Sequence, residues 1–397
     1  MNGYEYALAP TSQFYFCGVP FRLDLSPKCD LNCEYCFAKS RGGRRSSNNS
    51  CINTSQFEAI IKNAINCDGR FKNIIDEMVY HRFPIHLGGM SDPCCAKTAP
   101  LVDSVISILD KEGNDYPIII STKRPSFLLG SPAALEKKSM IIQVSLSMEQ
   151  SDIQQRIEPD ADSPVERLRA IKALIDAGKT VVCRAQPIIP TLDNNLECLI
   201  HQVYETGCRH IIFEYLKLPV ERKSLIVQHL SDILNFDIMA FYKAHGSRLI
   251  GRQWILPAEY RYTTLSAAKS YANSLGMKVS LADYGLYHLG DLECCCGVEE
   301  GSSFCQNKID NFTTVIRNNI GRDIYFSYVK KGWHPSLGMT RYVNSKSRFD
   351  DNTMIHLLQK RWNSPGRANA PDSYLGVENT GKLDTEGNVI YYVNFRR

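Results

Sequence analysis

From residue 21 onward, short apolar runs alternate with amphipathic stretches. Phe21-Arg22-Leu23-Asp24-Leu25, Pro84-Ile85-His86-Leu87, Pro117-Ile118-Ile119-Ile120, and residues 141–146, 180–185 and 210–215 read as strands. Helix-period segments at 54–64, 99–109, 132–138, 163–177 and 192–206 separate them, with Ser163-Pro164 and Gly178 as start and stop signals for one of these and Gly207 ending another. Continuous apolar strands joined by helices imply a parallel sheet covered on both faces. Six such units predict an α/β fold, a partial (β/α)6 barrel. Residues 220–244 and 262–276 read as helical, 277–283 as a candidate seventh strand, and the sequence around Asp384-Thr385-Glu386-Gly387-Asn388-Val389 as a hairpin in a mixed α+β C-terminal extension. The expected organisation is a lead-in (1–20), a barrel core (21–218), a helical and strand extension with a cysteine cluster (219–305), and a basic aromatic region (306–397).

In barrels of this kind ligands sit at the C-terminal ends of the strands, where the loops converge. Polar residues follow the predicted strands in that position: Gly88-Gly89-Met90-Ser91-Asp92-Pro93, Ser121-Thr122-Lys123-Arg124, Ser145 and Ser147, Arg184 and Gln186, and Glu214. After the first strand comes Cys29-Asp30-Leu31-Asn32-Cys33-Glu34-Tyr35-Cys36, with thiols at i, i+4 and i+7. Three thiolates so spaced can ligate three irons of a cubic iron-sulfur cluster, leaving one iron open. A zinc site completed by Cys17 or Cys51 is the alternative, although no second C-x2-C pair lies nearby.

Composition narrows the class. With 397 residues, 44% hydrophobic and 22% charged, the chain has the makeup of a soluble globular protein. No apolar run reaches the roughly 20 residues a membrane helix needs, and the N-terminus lacks a signal pattern, so a cytoplasmic location is expected. Fifteen cysteines, an odd number spread through strands and helices, argue for a reducing compartment over a disulfide framework. The net charge of +4 is uneven: residues 306–397 hold 14 Lys and Arg against 8 Asp and Glu. The run 40–50, with Arg41, Arg44 and Arg45 and no apolar residue, reads as a basic loop suited to phosphates.

The cysteine spacing, with Tyr35 in the aromatic place, resembles the radical SAM signature. The segments Gly88-Gly89-Met90-Ser91-Asp92-Pro93, Ser121-Thr122-Lys123, Val144-Ser145-Leu146-Ser147, Arg156-Ile157-Glu158-Pro159 with Ser163-Pro164 and Arg167, and Arg184-Ala185-Gln186-Pro187-Ile188-Ile189-Pro190 resemble its spore photoproduct lyase-like branch, also called DNA repair photolyase-like. The resemblance covers about residues 20–215. It implies a lyase or modifying enzyme with a four-iron, four-sulfur cluster on Cys29, Cys33 and Cys36, its open iron chelated by S-adenosylmethionine (SAM). It further implies Tyr35 near the adenine, Gly88, Gly89 and Met90 at the methionyl amine, Ser145 near the ribose and Arg184 at the carboxylate. Met90 departs from the acidic residue common at its position. The resemblance also implies an external electron donor such as flavodoxin or ferredoxin, no membrane, and a cysteine returning hydrogen to the product; Cys94 and Cys95 are the candidate catalytic thiols.

Cys294, Cys295, Cys296 and Cys305 form a second cluster, a candidate for a second metal site, although successive side chains diverge. Lys330, Lys331, Arg341, Lys346, Arg348, Lys360, Arg361 and Arg367 lie among Tyr325, Tyr328, Trp333, Tyr342 and Trp362, a mixture suited to a nucleic acid substrate. Modification of a peptide or small metabolite, and a non-enzymatic metal-stabilised binding module, are the competing readings.

Overall fold

The structure is a computed structural model that describes residues 7–39, 50–149, 151–220, 225–292, 294–298, 308–342 and 351–394. The 40–49 part of the basic loop, Cys305, Lys346 and Arg348 lie outside them. Its centre is an eight-stranded sheet formed by β1 (Leu8–Pro10), β2 (Phe21–Leu23), β3 (Ile85–Leu87), β4 (Ile118–Thr122), β5 (Met140–Ser145), β6 (Thr180–Ile188), β7 (His210–Tyr215) and a closing strand, Lys278–Leu281. The order in space is the order in sequence. β1 pairs antiparallel with β2, and every later neighbour pair is parallel.

The six strands β2–β7 and their helices are those expected from the sequence, and the closing strand supplies the seventh parallel member. β4 is buried at every position, as a sheet covered on both faces requires. Helix Pro164–Asp176 starts in a full capping box, in which the Ser163 hydroxyl takes the Glu166 amide and the Glu166 carboxylate takes the Ser163 amide. The helix Ile74–Tyr80, the helix Ser151–Ile157, strand β1 and the small sheet Leu218–Pro219, Gln253–Ile255 and Arg248–Ile250 escape the sequence pattern, being too short to show a period.

The sheet stays open, and aromatic packing spans its two edges. Phe16, after β1, stacks on Tyr287 and meets Tyr284 edge-on, both beyond the closing strand. The C-terminal region folds over the same side. Its second three-stranded sheet, Asp323–Ile324, Val389–Tyr392 and Glu378–Leu383, contains the expected hairpin. The buried carboxylate of Glu77 accepts the amides of Ser336 (2.8 Å) and Leu337 (3.1 Å), tying this region to the helix Ile74–Tyr80.

One expectation for the region fails. Trp362 is a core residue, with Nε1 donating to the Val389 carbonyl at 2.6 Å and its ring packed on Phe312, Phe326 and Tyr391, so it cannot be a stacking platform for a base. Met354, Leu358 and Trp362 recur every fourth residue, which makes the apolar stripe of their helix. Trp333 likewise packs on Phe83. Among the basic residues, Lys330 pairs with Glu386, while Lys331 and Arg341 lie over the rings of Tyr328 and Tyr342.

Candidate functional site

The cysteine loop leaves the C-terminal end of β2 and turns back at Asn32, whose φ of +52° is one that Asn tolerates better than most residues. The Asn32 amide nitrogen donates to Asp160 at 2.8 Å and the Glu34 N–H to the Ile157 carbonyl at 2.8 Å, so the loop is sewn to the segment after the helix Ser151–Ile157. This brings Cys29, Cys33, Cys36 and Tyr35 around one small apolar cluster with Leu31 and Cys95, apart from the main core. The three expected ligands thus pack against one shared cluster. Burial pushes the Cys33 thiol up to about 12, a cost that a bound cation would reverse.

Tyr35 is anchored from below. Its hydroxyl donates to Glu158, whose carboxylate pairs with the equally buried Arg167. Arg167 also donates from Nε to the Asp162 carbonyl (2.7 Å) and from Nη1 to the Ser145 carbonyl (2.8 Å), so one guanidinium ties together β5, the Glu158 turn and the tyrosine. Burial raises the Glu158 carboxyl, but Arg167, Lys123 and the Tyr35 hydroxyl outweigh that and hold it below the usual carboxylate range. Lys123 Nζ lies 5.6 Å from the Tyr35 ring centre.

The glycine turn after β3 is built for close approach. Gly88 has φ +93°, and a Cβ there would sit 2.4 Å from the Ser121 carbonyl oxygen; one on Gly89 would sit 3.2 Å from Arg22 Cδ. The Met90 N–H donates to the buried Asp24 carboxylate at 2.9 Å, so it is the backbone of this position that is engaged. Asp92 then accepts from the Lys123 N–H (2.6 Å), the Thr122 hydroxyl (2.8 Å) and the Cys94 N–H (2.9 Å), while its own N–H donates to Cys29 Sγ at 3.5 Å. The turn carries the next two cysteines into the interior. Cys94 and Cys95 are both 0% exposed, Cys94 within the main core and Cys95 beside Cys29. Neither candidate catalytic thiol is exposed to solvent.

Inside the barrel a polar chain crosses five strands. His86 Nε2 lies 2.6 Å from Ser121 Oγ, which donates to Gln143 at 2.7 Å; Arg184 Nη1 donates to Gln143 Oε1 at 2.9 Å; Arg184 Nη2 reaches Gln186, Gln186 reaches Glu214, and Lys217 pairs with Glu214. Burial and the Arg184 charge hold the His86 pKa down to about 3, so its imidazole is neutral. Arg184 Nε is buried with no hydrogen-bond partner among the described residues. Ser145, which pairs with Arg184 across β5 and β6, completes this group of expected residues. Asp24, His86, Gln143 and Lys217 were not singled out from the sequence. A polar residue inside an apolar strand, as at His86 and Gln143, was the available signal.

The second cysteine cluster lies at the opposite end. Residues 294–298 plug the barrel near the N-terminal ends of β5 and β6, where a Cβ on Gly297 (φ +82°) would sit 2.7 Å from Val182 Cγ2 and 3.5 Å from Ile141 Cγ2. Gln143 Nε2 donates to the Cys296 carbonyl at 2.6 Å. Cys17 joins the triplet, its Sγ 3.7 Å from Cys296 Sγ. Hydrogen bonds from Cys17 and Cys296 hold the Cys295 thiol well below its ordinary value, while its two neighbours rise. Among the described residues, however, only Cys29, Asp30 and Cys95 bring three ligand atoms within 4.8 Å of one another.

No helix among the described residues is long and apolar enough to cross a membrane. No family model matches the sequence, and no curated protein matches it. Solved structures do. Spore photoproduct lyase complexed with dinucleoside spore photoproduct superposes with a TM-score of 0.50 at 15% identity, over 66% of this chain and 77% of that one. Streptococcus suis SuiB bound to S-adenosylmethionine gives a TM-score of 0.42 at 13% identity, over 68% of this chain and 51% of that one. At these identities the likeness concerns architecture alone: the chain has the fold of the spore photoproduct lyase on which it superposes.

Proposed function

We propose that the chain is a radical SAM enzyme that abstracts hydrogen from a nucleic acid, in lesion reversal or base modification. The observation that supports the reading is the packing of Cys29, Cys33 and Cys36 against one small apolar cluster in the loop that follows β2. The donor set suits a four-iron, four-sulfur cluster: the three thiols share one apolar pocket without converging to single-ion distance, and each must reach a different iron. Reduced, such a cluster supplies the electron that cleaves SAM to methionine and a 5′-deoxyadenosyl radical.

The chain's own residues do the positioning. Arg184, with its unpartnered Nε, is suited to the SAM carboxylate, where a charge-assisted pair fixes orientation. Glu158 and Arg167 hold Tyr35 in place for the adenine, and Ser145 is the ribose candidate. Asp24 fixes the backbone at Met90, and Asp92 locks the glycine turn to β4 and to Cys29. The required electron comes from an external flavodoxin- or ferredoxin-type donor, in the reducing setting of the cytoplasm. A nucleic acid is favoured because the superposed lyase is described with a dinucleoside photoproduct and because the C-terminal region has a basic excess. A radical centre inside the barrel requires the target base to leave its stack.

The test is anaerobic: reduced, iron-loaded protein is given SAM with and without damaged oligonucleotide, and 5′-deoxyadenosine is measured. Wild type produces it, Cys33→Ala does not, and the oligonucleotide accelerates it. Production stimulated by peptides alone would keep the chemistry and remove the nucleic acid. No product from fully iron-loaded wild type would remove both.

A further inference from the structure

Cys95 has no part in the reading above, yet it lies against one of its cluster ligands. Cys29 Sγ, a carboxylate oxygen of Asp30 and Cys95 Sγ all lie within 4.8 Å of one another, with Cys95 fully buried and the other two partly so. Two thiolates bound to one tetrahedral zinc at about 2.3 Å stand roughly 3.8 Å apart, so this spacing needs only a small contraction to close on a single ion. Cys33 and Cys36 are outside the group.

The supporting hydrogen bonds have the form expected of a metal site. The Asp92 N–H donates to Cys29 Sγ at 3.5 Å, Thr98 Oγ1 lies 3.1 Å from Cys95 Sγ, and the Lys97 N–H donates to Asp30 Oδ2 at 3.0 Å. Each prospective ligand is thus oriented by a second group. Asp30 Oδ1 is buried and accepts from no N–H or hydroxyl among the described residues, and the Cys95 thiol beside it hydrogen-bonds to the Asp30 side chain. A cation that replaced the thiol proton would be held by the same sulfur and carboxylate.

We propose that Cys29, Asp30 and Cys95 form a mononuclear site for a borderline divalent cation of the zinc class, exclusive of the cluster on Cys29, Cys33 and Cys36. Two sulfurs and one oxygen suit zinc over magnesium or calcium, and three protein ligands leave a fourth position for water. Binding releases the thiol protons to solvent and involves no redox change. The exclusivity rests on the proposed function, because it requires that Cys29 also serve the cluster. The ion site itself does not. Its consequence is a cluster-free, zinc-loaded form of the protein that must lose its ion before it can be activated.

Metal-free, reduced protein is titrated anaerobically with Co2+, following the thiolate-to-cobalt charge-transfer absorption. Wild type binds one Co2+ per chain. Cys95→Ala and Asp30→Asn weaken binding by more than the roughly tenfold to hundredfold that loss of a supporting contact costs, as in Thr98→Val. Cys33→Ala and Cys36→Ala bind Co2+ as wild type does. Circular dichroism of each variant separates loss of a ligand from loss of the fold. No Co2+ binding by wild type, or binding that needs Cys33 or Cys36 and ignores Cys95, overturns the site. The same preparations are then reconstituted with iron and sulfide: Cys95→Ala takes up iron normally, and Zn2+-loaded wild type takes up none until a chelator is added. Joint loading of zinc and iron overturns the exclusivity. Failure of wild type to take up iron while still binding Co2+ overturns the radical SAM reading and leaves the ion site standing.

Discussion

Eight thiols gather at the two ends of one barrel, and the ends treat them differently. At the mouth, polar groups meet the prospective ligands: the Asp92 N–H donates to Cys29 and the Lys97 N–H to Asp30, while Thr98 Oγ1, whose proton goes to backbone carbonyls, accepts from the Cys95 thiol. At the floor, Gln143 and Ser280 donate to the carbonyls of Cys296 and Cys294 and so hold the chain trace, while the sulfurs meet the Cys296 N–H, which donates to Cys294 Sγ at 3.4 Å, and one another. Gly297 lets the plug press against Val182. On the proposed function, the mouth is the ligating end and the floor closes the barrel. Number of cysteines does not separate these roles; the direction of the surrounding donors does.

The sharpest way to break the comparison is a matched pair of deletions. Cys33→Ala should remove essentially all iron from reconstituted protein, whereas Cys296→Ala should leave about four irons per chain, by iron and sulfide assay. Next in size is Glu158→Gln at the mouth. Leaving Arg167 buried without its partner should cost about 3–5 kcal/mol in chemical denaturation and free Tyr35 as well. At the floor, Gly297→Ala forces a Cβ into Val182 at a left-handed φ and should cost about 2–3 kcal/mol, with iron per folded chain unchanged.

The floor should also respond to acid. Burial holds His210 down to about 4 from an ordinary 6.5, its ring bonded to Ser280 at 2.8 Å. The unfolded chain is therefore protonated first, and the stabilisation is complete above pH 6.5 and lost as pH falls toward 4, by about 2 kcal/mol at pH 5. Denaturation midpoints of His210→Gln should flatten by that amount relative to wild type. The smallest effect belongs to the surface: Lys330→Ala removes a solvent-screened pair with Glu386 and should change stability by less than about 1 kcal/mol.

Distance along the chain decided how much of this was legible in the sequence. Cys29, Cys33 and Cys36 lie within eight residues, so their grouping was legible in local spacing, as were the helix start at Ser163-Pro164 and the apolar runs of β4 and β5. Cys95 beside Cys29 and Cys17 beside Cys296 depend on strand order and register, which no local pattern encodes; the second pair is 279 residues apart. Trp362 misled for the opposite reason. Its basic neighbours Lys360 and Arg361 drew it toward a nucleic acid surface, while the Met354, Leu358, Trp362 spacing already marked the buried side of a helix. Cys94 and Cys95 follow β3 as adjacent residues, yet Cys94 enters the main core and Cys95 packs beside Cys29, a parting that the hydrogen bonds of Asp92 support and the sequence does not show.

The central claim, that the mouth thiols and not the floor thiols hold the reactive iron, is tested most directly by electron paramagnetic resonance of the reduced, reconstituted protein with and without SAM. The account predicts a reduced-cluster signal that SAM perturbs in wild type and in Cys295→Ala alike, and that is absent in Cys36→Ala. A signal that survives Cys36→Ala and disappears in Cys295→Ala would contradict it.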